Sequence, residues 1–125
     1  MSEIIFSSSY DEKHPPENIL TPSKDKFFSS TGMFPQEICI QFDSVKPVKS
    51  LDITSYGIKK LSIQTCENDS VVNFKNQVEE DKIKNEKGIQ KIKLNLDKKP
   101  NVKVLKIEVL EGYEDFFSIH SVDIQ

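Results

Sequence analysis

The sequence has no arginine, since all 17 basic residues of the 125-residue chain are lysine. Arginine supplies the planar, bidentate contacts by which many proteins read guanine edges and phosphates. A formal net charge of −3 leaves no basic surplus to neutralise a nucleic-acid backbone. Codon bias in an AT-rich genome also explains missing arginine, but the composition does not favour a nucleic-acid-binding protein.

Long apolar runs are also absent. No stretch approaches the roughly 18 apolar residues that read as a membrane span. The first ten residues, MSEIIFSSSY, lack the charged start and apolar core of a secretory signal. We therefore expect a protein that stays inside the cell and does not insert into a membrane.

Residues and motifs that carry chemistry are scarce. The four glycines and two histidines form no GxSxG, GxxxxGK[ST] or HExxH motif, so the sequence predicts no enzyme. Cys39 and Cys66 show no CxxC spacing and have no histidine nearby, which predicts buried thiols rather than metal ligands. His14 is expected to cap backbone groups in a proline-rich loop, and His120 to be partly buried with its ring nitrogens bonded to main-chain groups.

Period-two alternation of apolar and polar residues is the main pattern that the sequence does have. It predicts strands over residues 4–8, 36–42, 48–55, 61–65, 71–74, 92–96, 105–109 and 117–124. The prolines between 15 and 22 predict a long structured loop, and the charged stretch 76–88 predicts a surface connection or edge. Residues 97–101 have turn composition and predict an antiparallel hairpin. A phase change near His120 and Ser121 predicts a β-bulge in the last strand.

About eight short strands with almost no helical spacing predict an all-β protein. Each sheet has one apolar face that must be covered, so two antiparallel sheets should stack as a jelly-roll β-sandwich. No repeat or low-complexity linker interrupts the chain, and residues 1–125 are predicted to form a single domain.

Apolar residues in predicted loops are the candidates for partner binding. Met33 and Phe34 follow Gly32, while Tyr113 and Phe116 lie beside Gly112 and acidic residues. Methionine and aromatic side chains are enriched in the buried centre of protein interfaces. The same residues often plug the open end of a β-sandwich, so both interpretations stay open.

Three longer strings carry a resemblance to a known family: DEKHPPENIL at 11–20, STGMFPQE at 30–37 and FFSIHSV at 116–122. They resemble the intraflagellar transport protein 25 family. The resemblance implies a galactose-binding-domain-like jelly roll that acts as a non-catalytic subunit of the intraflagellar transport B complex. It also implies a small Rab-like GTPase subunit as partner, support of ciliary cargo transport, and a location in the cilium or flagellum and the cytoplasm.

Many relatives of this fold carry a calcium site in the loop after an Asn-Ile or Asn-Leu pair. Here Asn18 matches that pattern, but Thr21 stands where an acidic ligand is expected and Lys26 where a threonine is expected. Calcium takes about six to eight oxygen ligands, and the ammonium group of a lysine would repel it. We therefore expect no calcium and no other cofactor.

Two alternative functions remain open. The same jelly roll could serve as a fixed structural subunit of the axoneme or of another ciliary assembly. A carbohydrate- or lipid-binding module is a third interpretation, which would need an exported chain or an exposed ligand cleft. A fold name alone does not decide among these activities.

Overall fold

The computed structural model describes residues 2–20, 26–68, 73–84, 88–96 and 98–125, which form two antiparallel β-sheets. The strands are β1 (Ser2–Ser7), β2 (Phe28–Ser29), β3 (Gln36–Pro47), β4 (Ser50–Tyr56), β5 (Ile58–Cys66), β6 (Lys75–Glu80), β7 (Gln90–Asn95), β8 (Asn101–Gly112) and β9 (Ser118–Ile124). The larger sheet has the order β1-β3-β8-β5-β6, and the smaller has the order β2-β9-β4-β7. The predicted all-β jelly-roll sandwich is confirmed.

The core lies between the inner faces of the two sheets, as the alternation predicts. In the larger sheet Ile107 lies opposite Ile38 on one side and Ile63 on the other, and all three are almost fully buried. The smaller sheet contributes Leu51 and Leu94, which face each other across β4 and β7. Burying a side chain of this size contributes about 1.5–3 kcal/mol, so these rows hold the sheets together.

The predicted bulge in the last strand is confirmed at His120. On β4, Thr54 pairs with Ser121 and the next residue, Ser55, pairs with Ile119, so His120 has no opposite residue. The extra residue changes which side chains of β9 face the core. This is why Ile119 and Val122 are both buried although their positions differ in parity.

The predicted hairpin across residues 97–101 is wrong. β7 pairs with β4 in the smaller sheet, whereas β8 pairs with β3 and β5 in the larger one, so the connection crosses between sheets. Lys99 N–H donates to Leu96 O at 3.0 Å, and Pro100 O accepts the N–H of Val48 at 3.0 Å. Turn residues fix where the chain reverses, but the partners of the following strand depend on distant residues.

The prediction of a strand over 71–74 is also wrong for the part that can be compared. Val71 and Val72 lie outside the described residues, while Asn73 and Phe74 are not in a strand. Instead β6 forms within the charged stretch, at one edge of the larger sheet, as the edge interpretation of 76–88 predicts. Its Val78 lies opposite Ile63 and packs on the core, which shows that one apolar residue is enough for an edge strand.

Two short elements and two cysteines complete the comparison with the sequence. The predicted loop contains a 3-10 helix at Pro16–Leu20, whose Ile19 is buried, and β2 pairs with β9 through Phe28 and Ile119. Elements this short show no periodicity.

Cys39 and Cys66 are buried and lie outside any disulfide among the described residues, as predicted.

Candidate protein-interaction surface

The four candidate residues for partner binding come together at one end of the sandwich, which we call the aromatic end (Met33, Phe34, Tyr113 and Phe116). Gly57 lies beside two of them, because its carbonyl accepts the N–H of Tyr113 at 3.0 Å and a Cβ placed on it would lie 3.2 Å from Phe116 O. Gly57 has a φ of +83°, a conformation that glycine adopts without strain. The Gly57 turn therefore packs against the loop that carries Tyr113 and Phe116.

Phe34 fills the end of the core rather than extending into solvent. Its ring centroid lies 5.8 Å from that of Phe117, which is fully buried. A Cβ added to Gly112 would lie only 2.4 Å from Phe34 Cζ, so the ring rests directly on the Gly112 backbone. Of the two interpretations left open for the loop residues, plugging the sandwich describes the position of Phe34.

Met33 and Phe116 present most of the apolar surface at the aromatic end. Met33 is 86% exposed, although it directly precedes the packed Phe34. Phe116 is 44% exposed and stacks on Tyr56, with ring centroids 6.2 Å apart. Exposed side chains of this kind are free to become buried against another protein without a rearrangement of the core.

Tyr113 is held in place at both of its ends. Its hydroxyl donates to Ile83 O, its N–H donates to Gly57 O, and the side chain is still 40% exposed. Lys59 Nζ lies 5.9 Å from the ring centroid and 4.0 Å from Glu111, so a cation lies near the exposed ring face. Sequence reasoning missed Tyr56 and Lys59, because both belong to regular strands where alternation explains their positions.

The structure describes two of the three residues that the calcium prediction named. Asn18 donates its Nδ2–H to Phe27 O at 2.9 Å, which ties the 3-10 helix to the far side of the loop. Lys26 is exposed, and Thr21 lies outside the described residues. The described residues contain no group of three or more His, Cys, Asp or Glu side chains that could hold a metal ion. That no calcium binds stays a prediction.

Both histidines contact Phe27, a residue that sequence reasoning missed. His14 stacks on the Phe27 ring at 4.1 Å between centroids, and His120 stacks at 5.2 Å. The ring of His14 therefore packs on Phe27, and its expected capping of backbone groups stays a prediction. His120 Nε2 lies 3.4 Å from Ser118 Oγ, a side chain rather than the expected main-chain group, and burial lowers the pKa of His120. Adjacent aromatics at 27 and 28 were the available signal, because only one of two neighbours can face the core.

The outer face of the larger sheet carries a small cluster around Cys39. Cys39, Cys66 and Val104 are buried there beneath Phe74, and Lys106 Nζ lies 4.5 Å from the Phe74 ring centroid. Burial raises the pKa of Cys39, which keeps its thiol protonated and unreactive near neutral pH. The charged side chains that act on the thiol are Lys106 and Glu37, which pair with each other at 3.7 Å. No helix in the described part of the chain could cross a membrane.

The chain is similar in sequence to known proteins. Residues 1–95 match the model of a family described as the XRCC1 N terminal domain. The chain is 33% identical over 124 residues to a Homo sapiens protein named intraflagellar transport protein 25 homolog, covering 99% of this chain and 85% of that protein. The Mus musculus protein of the same name is 32% identical over 124 residues, with 99% and 86% covered.

Solved structures support the fold. A family 32 CBM from C. perfringens NanJ, solved in complex with galactose, superposes with a TM-score of 0.81, covering 99% of this chain and 98% of that one. The two sequences are only 16% identical, so this likeness describes the architecture and leaves ligand binding open.

Proposed function

This chain belongs to the intraflagellar transport protein 25 family and to the XRCC1 N terminal domain family, and on that basis we propose a function in the intraflagellar transport B complex. The chain would be a non-catalytic subunit that binds a small Rab-like GTPase subunit and supports ciliary cargo transport. Its family makes it an intraflagellar transport protein of the cilium or flagellum.

The observation that carries the proposed binding function is the aromatic end. Four residues from two loops meet there, and Met33 and Phe116 expose apolar surface beside the packed Phe34. Interface centres are enriched in methionine and aromatic residues, and the few that become fully buried supply most of the binding energy. Lys59, near the Tyr113 ring, offers a charge at the rim.

The non-catalytic part of the proposal is supported by the surroundings of the nucleophilic and basic groups. Cys39 is buried with a raised pKa, and its polar neighbours Glu37 and Lys106 pair with each other at 3.7 Å. Ser118 and His120 approach at 3.4 Å, but among the described residues no carboxylate bonds to the His120 ring to orient it. A nucleophile–base pair normally needs such a third group.

Co-purification with a small Rab-like GTPase subunit of intraflagellar transport tests the proposal. The double variant Met33→Ser and Phe116→Ser removes exposed apolar surface and leaves Phe34 and Phe117 in place. Loss of two buried apolar side chains from an interface centre should weaken binding by about 2–4 kcal/mol, or on the order of a hundredfold. Isothermal titration calorimetry with the purified GTPase measures the change.

Val45→Ser is a matched control, since Val45 is also an exposed apolar residue but lies at the other end of β3. Binding should be unchanged in this variant. Failure of the unmodified chain to bind any such GTPase would contradict the proposal. If the labelled chain stays with salt-extracted microtubules and does not move along the axoneme, it is a fixed axonemal subunit instead.

A further inference from the structure

A groove lies on one side of the sandwich, between the outermost strands of the two sheets. β6 is the last strand of the larger sheet and β7 the last strand of the smaller one. The groove encloses a cavity of about 540 Å³ and is lined by residues 80–84 on one wall and 89–93 on the other. We call it the edge groove. It shares no lining residue with the aromatic end.

We propose that the edge groove binds an extended segment of a partner protein, in which acidic and apolar residues alternate, as an additional strand beside β7. Strand addition of this kind obtains affinity from main-chain hydrogen bonds and specificity from alternate side chains. Three features of the groove lead to this occupant: an apolar floor and, among the described residues, backbone groups and lysines that have no partner.

Within the described part of the chain, the backbone of β7 has unpaired groups on its outer side. Leu96 donates its N–H to Lys49 O at 2.8 Å, so the backbone of Leu96 faces β4. The β4–β7 register runs without a shift from Gln90 to Asn95, and backbone groups in such a ladder point to alternate sides. The N–H and C=O groups of Lys91, Lys93 and Asn95 therefore face away from β4. Among the described residues no strand pairs with that side.

The floor of the edge groove is apolar. Ile92 is buried between the sheets, Ile83 packs on the core from the opposite wall, and Ile89 is 48% exposed at the entrance. In an added strand, every second side chain would point toward these isoleucines. Apolar residues at those positions would cover surface that Ile89 now exposes.

The lysines around the groove determine which charge suits the outward-facing side chains of the added strand. Lys91 and Lys93 lie on the outer face of β7, on either side of the inward-facing Ile92. Lys82 and Lys84 lie on the opposite wall of the groove, and all four lysines are exposed. None of the four pairs with a carboxylate within the described residues. By contrast, Lys59, Lys60 and Lys106 each lie within 4.0 Å of a glutamate on the larger sheet.

Among the described residues, two carboxylates also line the groove, Glu80 and Asp81, against the four lysines. Asp81 already accepts the backbone N–H of Lys82 at 2.8 Å, so it is partly occupied. The local surplus of positive charge therefore favours acidic side chains on the outer face of an added strand, directly beside Lys91 and Lys93. The negative charge of the whole chain does not cancel this local field at short range.

The same lysines exclude a second copy of this chain as the occupant. If β7 paired with β7 of another copy, Lys91 and Lys93 of the two strands would lie opposite or diagonal to each other. Like charges placed opposite each other across strands are destabilising. Lysines on an edge strand are a common protection against such self-pairing, so the partner must supply the acidic residues.

A synthetic peptide of alternating glutamate and valine, acetylated and amidated at its ends, is the probe for this proposal. Titrated into the isotope-labelled full chain, it should shift the backbone amide signals of residues 89–95 in nuclear magnetic resonance spectra. Binding should weaken as salt is added, because exposed charges are screened. The variant Lys91→Glu with Lys93→Glu should weaken binding at least about tenfold.

Two controls separate charge from strand addition. The variant Lys75→Glu with Lys98→Glu makes the same charge change at exposed positions around the separate polar cavity near Thr65 and Pro100, and it should leave binding unchanged. A peptide N-methylated at every residue has no main-chain N–H to donate to β7, whichever of its edges faces that strand, and should not bind to the unmodified chain.

The proposal is overturned if the amide shifts lie outside the edge groove or if a lysine–valine peptide binds equally well. Equal binding of the N-methylated peptide would overturn it too. So would unchanged binding of the glutamate–valine peptide to the Lys91→Glu and Lys93→Glu variant. The Rab-like GTPase titration with the Lys91→Glu and Lys93→Glu variant should be unchanged, so this proposal and the proposed function fail independently.

Discussion

The aromatic end and the edge groove are both exposed, yet different chemistry fixes each in place. At the aromatic end, Phe117 is fully buried and its ring lies 6.0 Å from Phe28 and 5.8 Å from Phe34. At the edge groove, the side chain of Gln90 is buried and bonds to both backbone groups of Ile58, at 3.0 Å and 2.7 Å. The aromatic end depends on the packing of apolar rings, and the edge groove depends on hydrogen bonds from the side-chain amide of Gln90.

This difference separates the residues that hold each region from those that are available to a partner. Phe116 and Phe117 are neighbours in the sequence, but only Phe116 is exposed. Likewise Ile89 is exposed while Gln90 is buried. In both regions a residue that maintains the fold is adjacent to one that can contact another protein. Substitutions can therefore test structure and binding separately.

The largest effect should come from Phe117→Ala. Removing a buried phenylalanine costs the transfer free energy of the ring and leaves a cavity, so the free energy of unfolding should fall by about 3–5 kcal/mol. Urea unfolding followed by circular dichroism measures it. Phe116→Ala removes the same number of atoms from a half-exposed site and should cost under about 1 kcal/mol. Equal losses would show that Phe117 does not have the packing role described here.

Gln90→Met should have the next largest effect, at the edge groove. Methionine fills a similar volume but leaves the buried N–H and C=O of Ile58 without partners, and the two unsatisfied groups together should lower the free energy of unfolding by about 2–3 kcal/mol. Gln90 Nε2 also donates to Lys84 O at 3.1 Å, so the wall of the groove should loosen. Hydrogen exchange at Ile58 should accelerate in the variant, and an unchanged exchange rate would contradict the assigned hydrogen bonds.

Much of the fold could be predicted from alternation, because strands with one buried face have a two-residue period. Ile38 and Ile107 were found in this way, and the bulge at His120 followed from the phase change between Ile119 and Val122. The path after β7 could not be found, because turn residues do not specify which sheet receives β8. β6 was recognised only as a surface connection or edge, since its single apolar residue, Val78, is half-buried.

The sequence placed the residues of the aromatic end in loops, but it did not reveal which of their side chains are exposed. Met33 and Phe34 are adjacent and both apolar, but one is exposed and the other rests on Gly112. That outcome depends on a glycine 78 positions away, which no local pattern reveals. The edge groove was missed for a similar reason: the charged stretch reads as a solvated surface until β6 and β7 are brought to the same side.

The smallest expected effect tests the contact between Phe34 and Gly112. A Cβ at Gly112 would lie 2.4 Å from Phe34 Cζ and 3.0 Å from Gly57 O, so Gly112→Ala must displace the ring. Overpacking of this kind should cost on the order of 1–2 kcal/mol of unfolding free energy. In a Phe34→Ala background the ring is gone, and the added methyl group should cost much less. A double-mutant cycle from urea unfolding measures this coupling. If Gly112→Ala costs the same in both backgrounds, the strain comes from Gly57 O and not from the ring, and the aromatic end is held by its backbone turn.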